Sequence, residues 1–477
     1  MSATLAGPEA RRGRLELHPP TNDRPPRPRF RLRNLRTPPR IGTSLAVTLG
    51  AAASLSPGLL PRTATAQAIL TGLLVSLALA VAGVLRAVTR RRGFDINRAL
   101  AGARTPVALV GTLVVLGAIV RAQQWQNELR AAMGVPAVAA GHWVRCALGA
   151  ALLAAILVGT VRGLRWVFRR LGRTRTVGIA VVAALAAQFV LLPAVVDWRR
   201  AADAAANATV DPALVQPVSI TRSGSTESAV GWGSLGAEGR KFVAGPASRA
   251  VRLYVGLNSA PDLDSRVALA IRELERSGGL NRSHLVVTVP TGSGWIDARA
   301  AEGLEERFAG DVALVGLQYS EAPSWATFVF GRRAAEQSAR ALFTAVEQRL
   351  ATLAHKPRLY VYGQSLGATA GSAIFADETE QRSRVCAALW AGPPAGRVHR
   401  AGATVLANSS DPVVHWSPEL LWRAPDLTGT RTDAPRPHWL PVLGFVQTTA
   451  DLLTALSPPP GHGHRYGADQ GTALGDC

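Results

Sequence analysis

Five consecutive residues, Gly363-Gln364-Ser365-Leu366-Gly367, place a serine between two glycines at the spacing Gly-X-Ser-X-Gly. Small residues flanking a serine let the backbone turn sharply from a strand into a helix and hold the hydroxyl above a sheet. The neighbours suit such a turn: a β-rich run, RLYVYG, leads in and a small-residue run, ATAGSAIFA, leads out. A serine hydroxyl is a weak nucleophile until a histidine accepts its proton and a carboxylate orients that histidine. The chemistry implied is acyl transfer to Ser365.

In a site of this kind the acid follows the serine in the chain and the histidine comes last. The strand-like run ATVLANS ends in Ser-Asp-Pro, which puts Asp411 just past a strand's C-terminal end, where open parallel sheets build their sites. Asp426, Asp433 and Asp451 are weaker rivals, because no strand delivers them. His399 precedes Asp411, His415 is too close to it to loop back, and His438 opens an apolar helical segment. His462 and His464 follow that segment in a loop rich in Pro and Gly, and one of the two is expected to be the base, the other to flank the site. No further ligands cluster beside them, so neither a zinc site nor a cofactor is expected. Residues 290–295, Pro-Thr-Gly-Ser-Gly-Trp, leave an earlier β-rich run. Thr291 and Gly292 are expected to bring a backbone N–H beside that of Leu366, where a developing oxyanion would sit.

The elements that must hold these residues alternate. From residue 251 onward, β-rich runs such as VRLYVGL, HLVVTVP and DVALVGLQYS interleave with helical ones. That order predicts an α/β domain over 246–477, with a mostly parallel sheet and helices on both faces. Cys146, Cys386 and Cys477 form neither a zinc pattern nor a disulfide framework. They read as packing or terminal residues, with a bridge between Cys386 and Cys477 left open.

Charge divides the chain. The first 197 residues hold 26 arginines against 6 acids, while the remaining 280 hold 27 basic residues against 26 acids. Clustered arginines alternating with long uncharged runs fit a membrane and not a nucleic-acid surface. Residues 1–40 read as a disordered basic tail. Uncharged runs follow at 41–60, 66–85, 105–120, 146–161 and 176–196, against about 20 apolar residues for one span. Five spans over 41–197 are therefore expected, the third and fourth borrowing flanking residues. With the tail inside, 22 arginines fall on the cytoplasmic side and only Arg62, Arg121, Arg130 and Arg145 outside. This positive-inside bias puts the C-terminal domain outside the cell membrane. Residues 198–245, without apolar periodicity, read as a linker and lead-in.

The segments SLSPGLLPR, WQNELR, YVGLNSA, VTVPTGSGW, GDVALVGLQYSEAPSW, YGQSLGA, ALWAGPP, SSDPVVHW and PPGHGHRYG, in that order, resemble a family of bacterial membrane-anchored α/β-hydrolases. In that family a multispan N-terminal domain precedes a serine-hydrolase-like domain, and the likeness covers nearly the whole chain beyond the basic tail. It implies Ser365 as nucleophile, Asp411 as acid and the terminal histidine pair as base. Its Gly-His-X-Tyr end favours His464 over His462. Gln364 departs from the family, which often carries an acidic residue there. The likeness names no substrate.

The expected function is a membrane-tethered serine hydrolase acting on an ester of a lipid or acylated envelope molecule. Acyl transfer to another alcohol would use the same triad. A non-catalytic membrane scaffold or transport component with a degenerate hydrolase domain is the third reading, against which stand the few ionisable residues within the spans.

Overall fold

The computed structural model describes residues 38–93, 100–467 and 469–477. Most of the expected basic tail, residues 1–37, lies outside the described residues. The N-terminal part is helical: α1 (Ile41–Ser54), α2 (Ala64–Arg91), α3 (Arg104–Ala132), α4 (His142–Ala186) and α5 (Leu192–Ala208). Thr63 caps α2 by accepting the Ala66 N–H at 3.2 Å, and Arg90 and Arg91 complement the dipole at its other end. Small residues let these helices touch. A Cβ added to Gly50 of α1 would stand 2.7 Å from Val75 Cα of α2, and one added to Gly149 of α4 would stand 2.9 Å from Ala68 Cβ.

Among the described residues, three helical stretches, Ala64–Arg91, Ala101–Ala132 and His142–Ala208, are long and apolar enough to cross a membrane. The first apolar run does not become one long helix. Pro57 and Gly58 follow the end of α1 at Ser54, and the rest of the run folds back as a loop. The fourth and fifth runs share the 67-residue stretch His142–Ala208, interrupted where Gly172 takes φ 75°.

The second half builds one six-stranded, wholly parallel sheet from β1 (Val251–Val255), β2 (His284–Val289), β3 (Val312–Leu317), β4 (Arg358–Gln364), β5 (Ala387–Ala391) and β6 (Ala403–Leu406). The strand order is β1-β3-β2-β4-β5-β6. Residues of β1, β3 and β5 are buried throughout, which is why β3 and β5 read as unbroken apolar runs and β1 as one interrupted only by Arg252, paired with Glu305: both faces are covered. Three helices, α6 (Gly236–Val243), α7 (Leu263–Arg276) and α8 (Ala298–Arg307), are followed by the short α9 (Ser324–Phe330), α10 (Arg332–Ala351), α11 (Leu366–Ser372), α12 (Leu443–Leu452) and α13 (Asp469–Thr472). Helices α7, α10 and α11 pack together on one face of the sheet, and α6, α8 and α13 on the other.

The stretch read as a linker is built into this domain. Val230, Leu235, Phe242 and Val243 belong to the core, and the buried Glu273 of α7 accepts the Ser223 and Ser228 hydroxyls and the Ala229 N–H at 2.8–2.9 Å. These anchors are single residues among Gly and Ser, so no periodicity announces them. Asn207, at the end of α5, accepts from Gln318 Nε2 at 3.1 Å just beyond β3, which fixes the last N-terminal helix to the sheet. Cys386 and Cys477 are bonded, with Cα atoms 4.6 Å apart; Cys146 is free and buried.

Candidate active site

Ser365 stands between the end of β4 and the start of α11 with φ 55° and ψ −123°, a conformation costly to any residue other than glycine. Its neighbours explain how the turn is held. A Cβ on Gly363 would lie 2.3 Å from Gly367 O, and one on Gly367 would lie 2.2 Å from Val289 O and 2.8 Å from Pro290 O. Only hydrogens fit at either position. The Ser365 N–H donates to Ala391 O at 2.8 Å, which ties the serine to the end of β5.

The close approach at Gly367 sets the exit of β2 beside the first turn of α11. Helix geometry leaves the Leu366 N–H without an intrahelical partner. Across from it, the Thr291 N–H is committed to Trp295 O at 2.9 Å, whereas the Gly292 N–H enters no hydrogen bond among the described residues. On this loop Gly292, unlike Thr291, keeps an uncommitted N–H among the described residues. Thr291 presents a different group, a buried Oγ1 with no hydrogen-bond partner among the described residues. Gly292 is pressed against α9, where a Cβ would stand 2.5 Å from Ser324 Cα.

Asp411 follows β6 and is fully buried. Its Oδ1 accepts the Val413 N–H at 2.8 Å, capping the short helix Pro412–His415. Its Oδ2 accepts from His464 Nδ1 at 2.8 Å and from the Tyr466 hydroxyl at 2.7 Å. Burial pushes the Asp411 carboxyl up, but His464, through charge and hydrogen bond, together with Tyr466 and Val413 outweighs it and holds the group below the usual carboxylate range. Burial and the adjacent Asp411 charge push the Tyr466 hydroxyl well up, so it stays a donor.

His464 is buried, and its Nε2 has no hydrogen-bond partner among the described residues. Its ring lies against Gly392, where a Cβ would stand 2.8 Å from His464 Cε1. Gly392 directly follows Ala391, the residue that accepts the Ser365 N–H. His462 is placed elsewhere: its Nδ1 lies 3.4 Å from Asp433 Oδ2 without making a hydrogen bond. Asp433 instead organises the loop that carries His464. It accepts the Ser410 N–H at 3.0 Å and the Ser410 hydroxyl, and Ser410 Oγ in turn accepts the Gly463 N–H at 2.9 Å. Asn408 Nδ2 donates to Gly463 O at 2.8 Å.

The structure thus brings Ser365, Leu366, Gly292, Asp411 and His464 to the C-terminal edge of β2, β4, β5 and β6, and leaves His462 to one side. Three buried polar atoms on these segments, Thr291 Oγ1, Gln364 Nε2 and His464 Nε2, have no hydrogen-bond partner among the described residues. Tyr466 was legible only as part of the terminal Gly-His-X-Tyr segment, and Asp433 only as a rival acid; neither carried a signal for its actual contacts. Among the described residues, no group of three or more His, Cys, Asp or Glu could hold a metal ion.

Comparison with known proteins gives two matches. The profile of the alpha/beta-hydrolase family matches residues 251–405 and 397–474, and that of the alpha/beta-hydrolase family N-terminus matches residues 55–246. No curated protein sequence matches the chain.

Proposed function

The chain belongs to the alpha/beta-hydrolase family, and from that premise we propose that it is a membrane-tethered serine hydrolase that cleaves an ester through an acyl-enzyme on Ser365. The observation that carries this reading is the pairing of a strained serine turn with a buried His464–Asp411 hydrogen bond whose free end, Nε2, is unpartnered. In the proposed reaction Ser365 Oγ attacks the ester carbonyl as His464 Nε2 takes its proton. The Nδ1–H bond to Asp411 fixes the tautomer that leaves Nε2 able to accept, and the carboxylate stabilises the imidazolium that forms. The Leu366 and Gly292 N–H groups receive the oxyanion, with the Thr291 hydroxyl as a third donor. His464 then returns the proton to the departing alkoxide, and water repeats the sequence to release the acid.

The substrate class proposed is an ester of a lipid or of an acylated envelope molecule, since helices long and apolar enough to cross a membrane precede the hydrolase domain in the same chain. The arginine asymmetry favours an extracytoplasmic hydrolase domain. The Cys386–Cys477 bond supports the same side, because such bonds persist in oxidising compartments.

The test is covalent labelling of the purified full-length protein with a fluorophosphonate, followed by peptide mapping. Wild type should be labelled on Ser365, and Ser365→Ala should not react. Undiminished labelling of Ser365→Ala, or none of wild type, would refute the proposal.

A further inference from the structure

The loop between α1 and α2, residues 55–63, does more than connect two helices. It reaches into the hydrolase domain and is held there from both sides. From the membrane-domain side, Trp125 Nε1 of α3 donates to Gly58 O at 3.0 Å, Gln126 Oε1 accepts the Arg62 N–H at 2.8 Å, and Arg130 donates to Arg62 O at 2.9 Å. From the hydrolase side, α12 grips it. Arg62 Nε donates to Asp451 Oδ1 at 2.9 Å, the Leu59 N–H donates to Asp451 Oδ2 at 2.7 Å, and Gln447 Nε2 donates to Ala53 O at 2.7 Å. Both partners of the Arg62–Asp451 ion pair are buried, with side-chain exposures of 4% and 0%.

Two separate routes lead from this contact to His464. Along the chain, α12 runs into Ala455, whose carbonyl accepts the His464 N–H at 3.1 Å. Through space, the fully buried Leu60 packs with Leu129, Met133 and Ala434; Ala434 adjoins Asp433, which organises the Ser410–Gly463 contact. Leu60 also backs the histidine loop directly, since a Cβ at Gly463 would stand 3.3 Å from Leu60 Cδ2. His464 is therefore seated on a shelf whose floor comes from the membrane domain.

We infer that Leu60 and Arg62 of the N-terminal domain are positioning residues for His464, so that the base site is complete only when the α1–α2 loop is docked between α12 and the histidine loop. This rests on the Ser365–His464–Asp411 reading above. A buried charge pair is weak support for stability, because its desolvation cost offsets much of its attraction; fixing the placement of α12 is the role its geometry suits.

The experiment uses full-length protein in lipid nanodiscs and measures fluorophosphonate inactivation as a saturable process, separating the maximal rate from the probe's binding constant. Arg62→Ala should lower the maximal rate about tenfold or more, as expected for a displaced base, with the binding constant unchanged. Arg62→Lys, which keeps the charge, should recover part of the rate. Leu60→Val, a smaller lesion, carries the same expectation if Arg62→Ala does not fold, and Leu148→Ala on the exposed face of α4 serves as control. Variants that melt earlier but react at the wild-type maximal rate per folded molecule would overturn the inference alone. Wild type that fails to react, or Ser365→Ala that still does, would overturn the hydrolase reading and this inference with it.

Discussion

Gly367→Ala tests whether the proposed oxyanion site depends on the contact between α11 and the exit of β2. The added Cβ would stand 2.2 Å from Val289 O, and real Cβ atoms essentially never come closer than 3.0 Å to such a neighbour. The contact must open by 0.8 Å, from 2.2 to at least 3.0 Å, and both sides of it are backbone. The Leu366 N–H rides on one side and the Gly292 N–H on the other, so the two donors separate by a similar amount. A misplacement of about 1 Å costs on the order of 10²-fold in rate, and loss of one oxyanion donor costs about 10²–10³-fold. We therefore expect about a 10²-fold slower reaction with fluorophosphonate, equivalent to about 2.7 kcal/mol of barrier. Overpacking should lower stability by about 1–3 kcal/mol without loss of the fold. The assay is the labelling rate of full-length protein, normalised to the folded fraction from a thermal melt. Gly233→Ala is the matched control, since a Cβ there meets nothing within 4 Å. If Gly367→Ala stays folded and reacts at the wild-type rate, the contact does not set the donors and the reasoning is wrong.

Three further outcomes follow from the buried carboxylates. Asp411→Asn keeps the shape but presents His464 with an amide in place of a charged acceptor, and labelling should fall by about 10⁴-fold. Because the Asp411 carboxyl is held below its usual range despite burial, its stabilisation is present above about pH 4 and lost as pH falls through the folded value; melts of wild type should weaken there, and those of Asp411→Asn should weaken less. Glu273 is likewise raised by burial but lowered more by Arg276, Ser228 and Ala229. Glu273→Gln should cost about 3 kcal/mol, seen as an earlier melt with an unchanged labelling rate per folded molecule; an unchanged melt would show that the 222–230 segment is held by other contacts.

Much of the half that matches the alpha/beta-hydrolase family was legible because parallel strands buried on both faces are largely apolar along their length. All six strand-like runs of the sequence, from VRLYVGL to ATVLANS, are strands of one sheet. The serine turn was legible for a steric reason, as Gly363 and Gly367 sit where a Cβ would strike backbone. Residues 222–243 were opaque, since their anchors act singly and through distant partners. So was the first apolar run, in which composition gave a span and Pro57 and Gly58 gave a shorter helix and a loop.

The sequence by itself determined the order of the candidate site residues: a serine between two glycines, an aspartate past a strand, histidines at the end, and a basic, apolar half ahead of them. Local sterics and hydropathy act between near neighbours, and a linear pattern records them. Only the tertiary structure decided that His464 and not His462 meets Asp411, that Gly292 and not Thr291 has a free N–H, and that Arg62 meets Asp451 across 389 residues of chain. Each of those outcomes depends on which way a side chain or amide faces once distant segments pack, and spacing along the chain does not encode that direction.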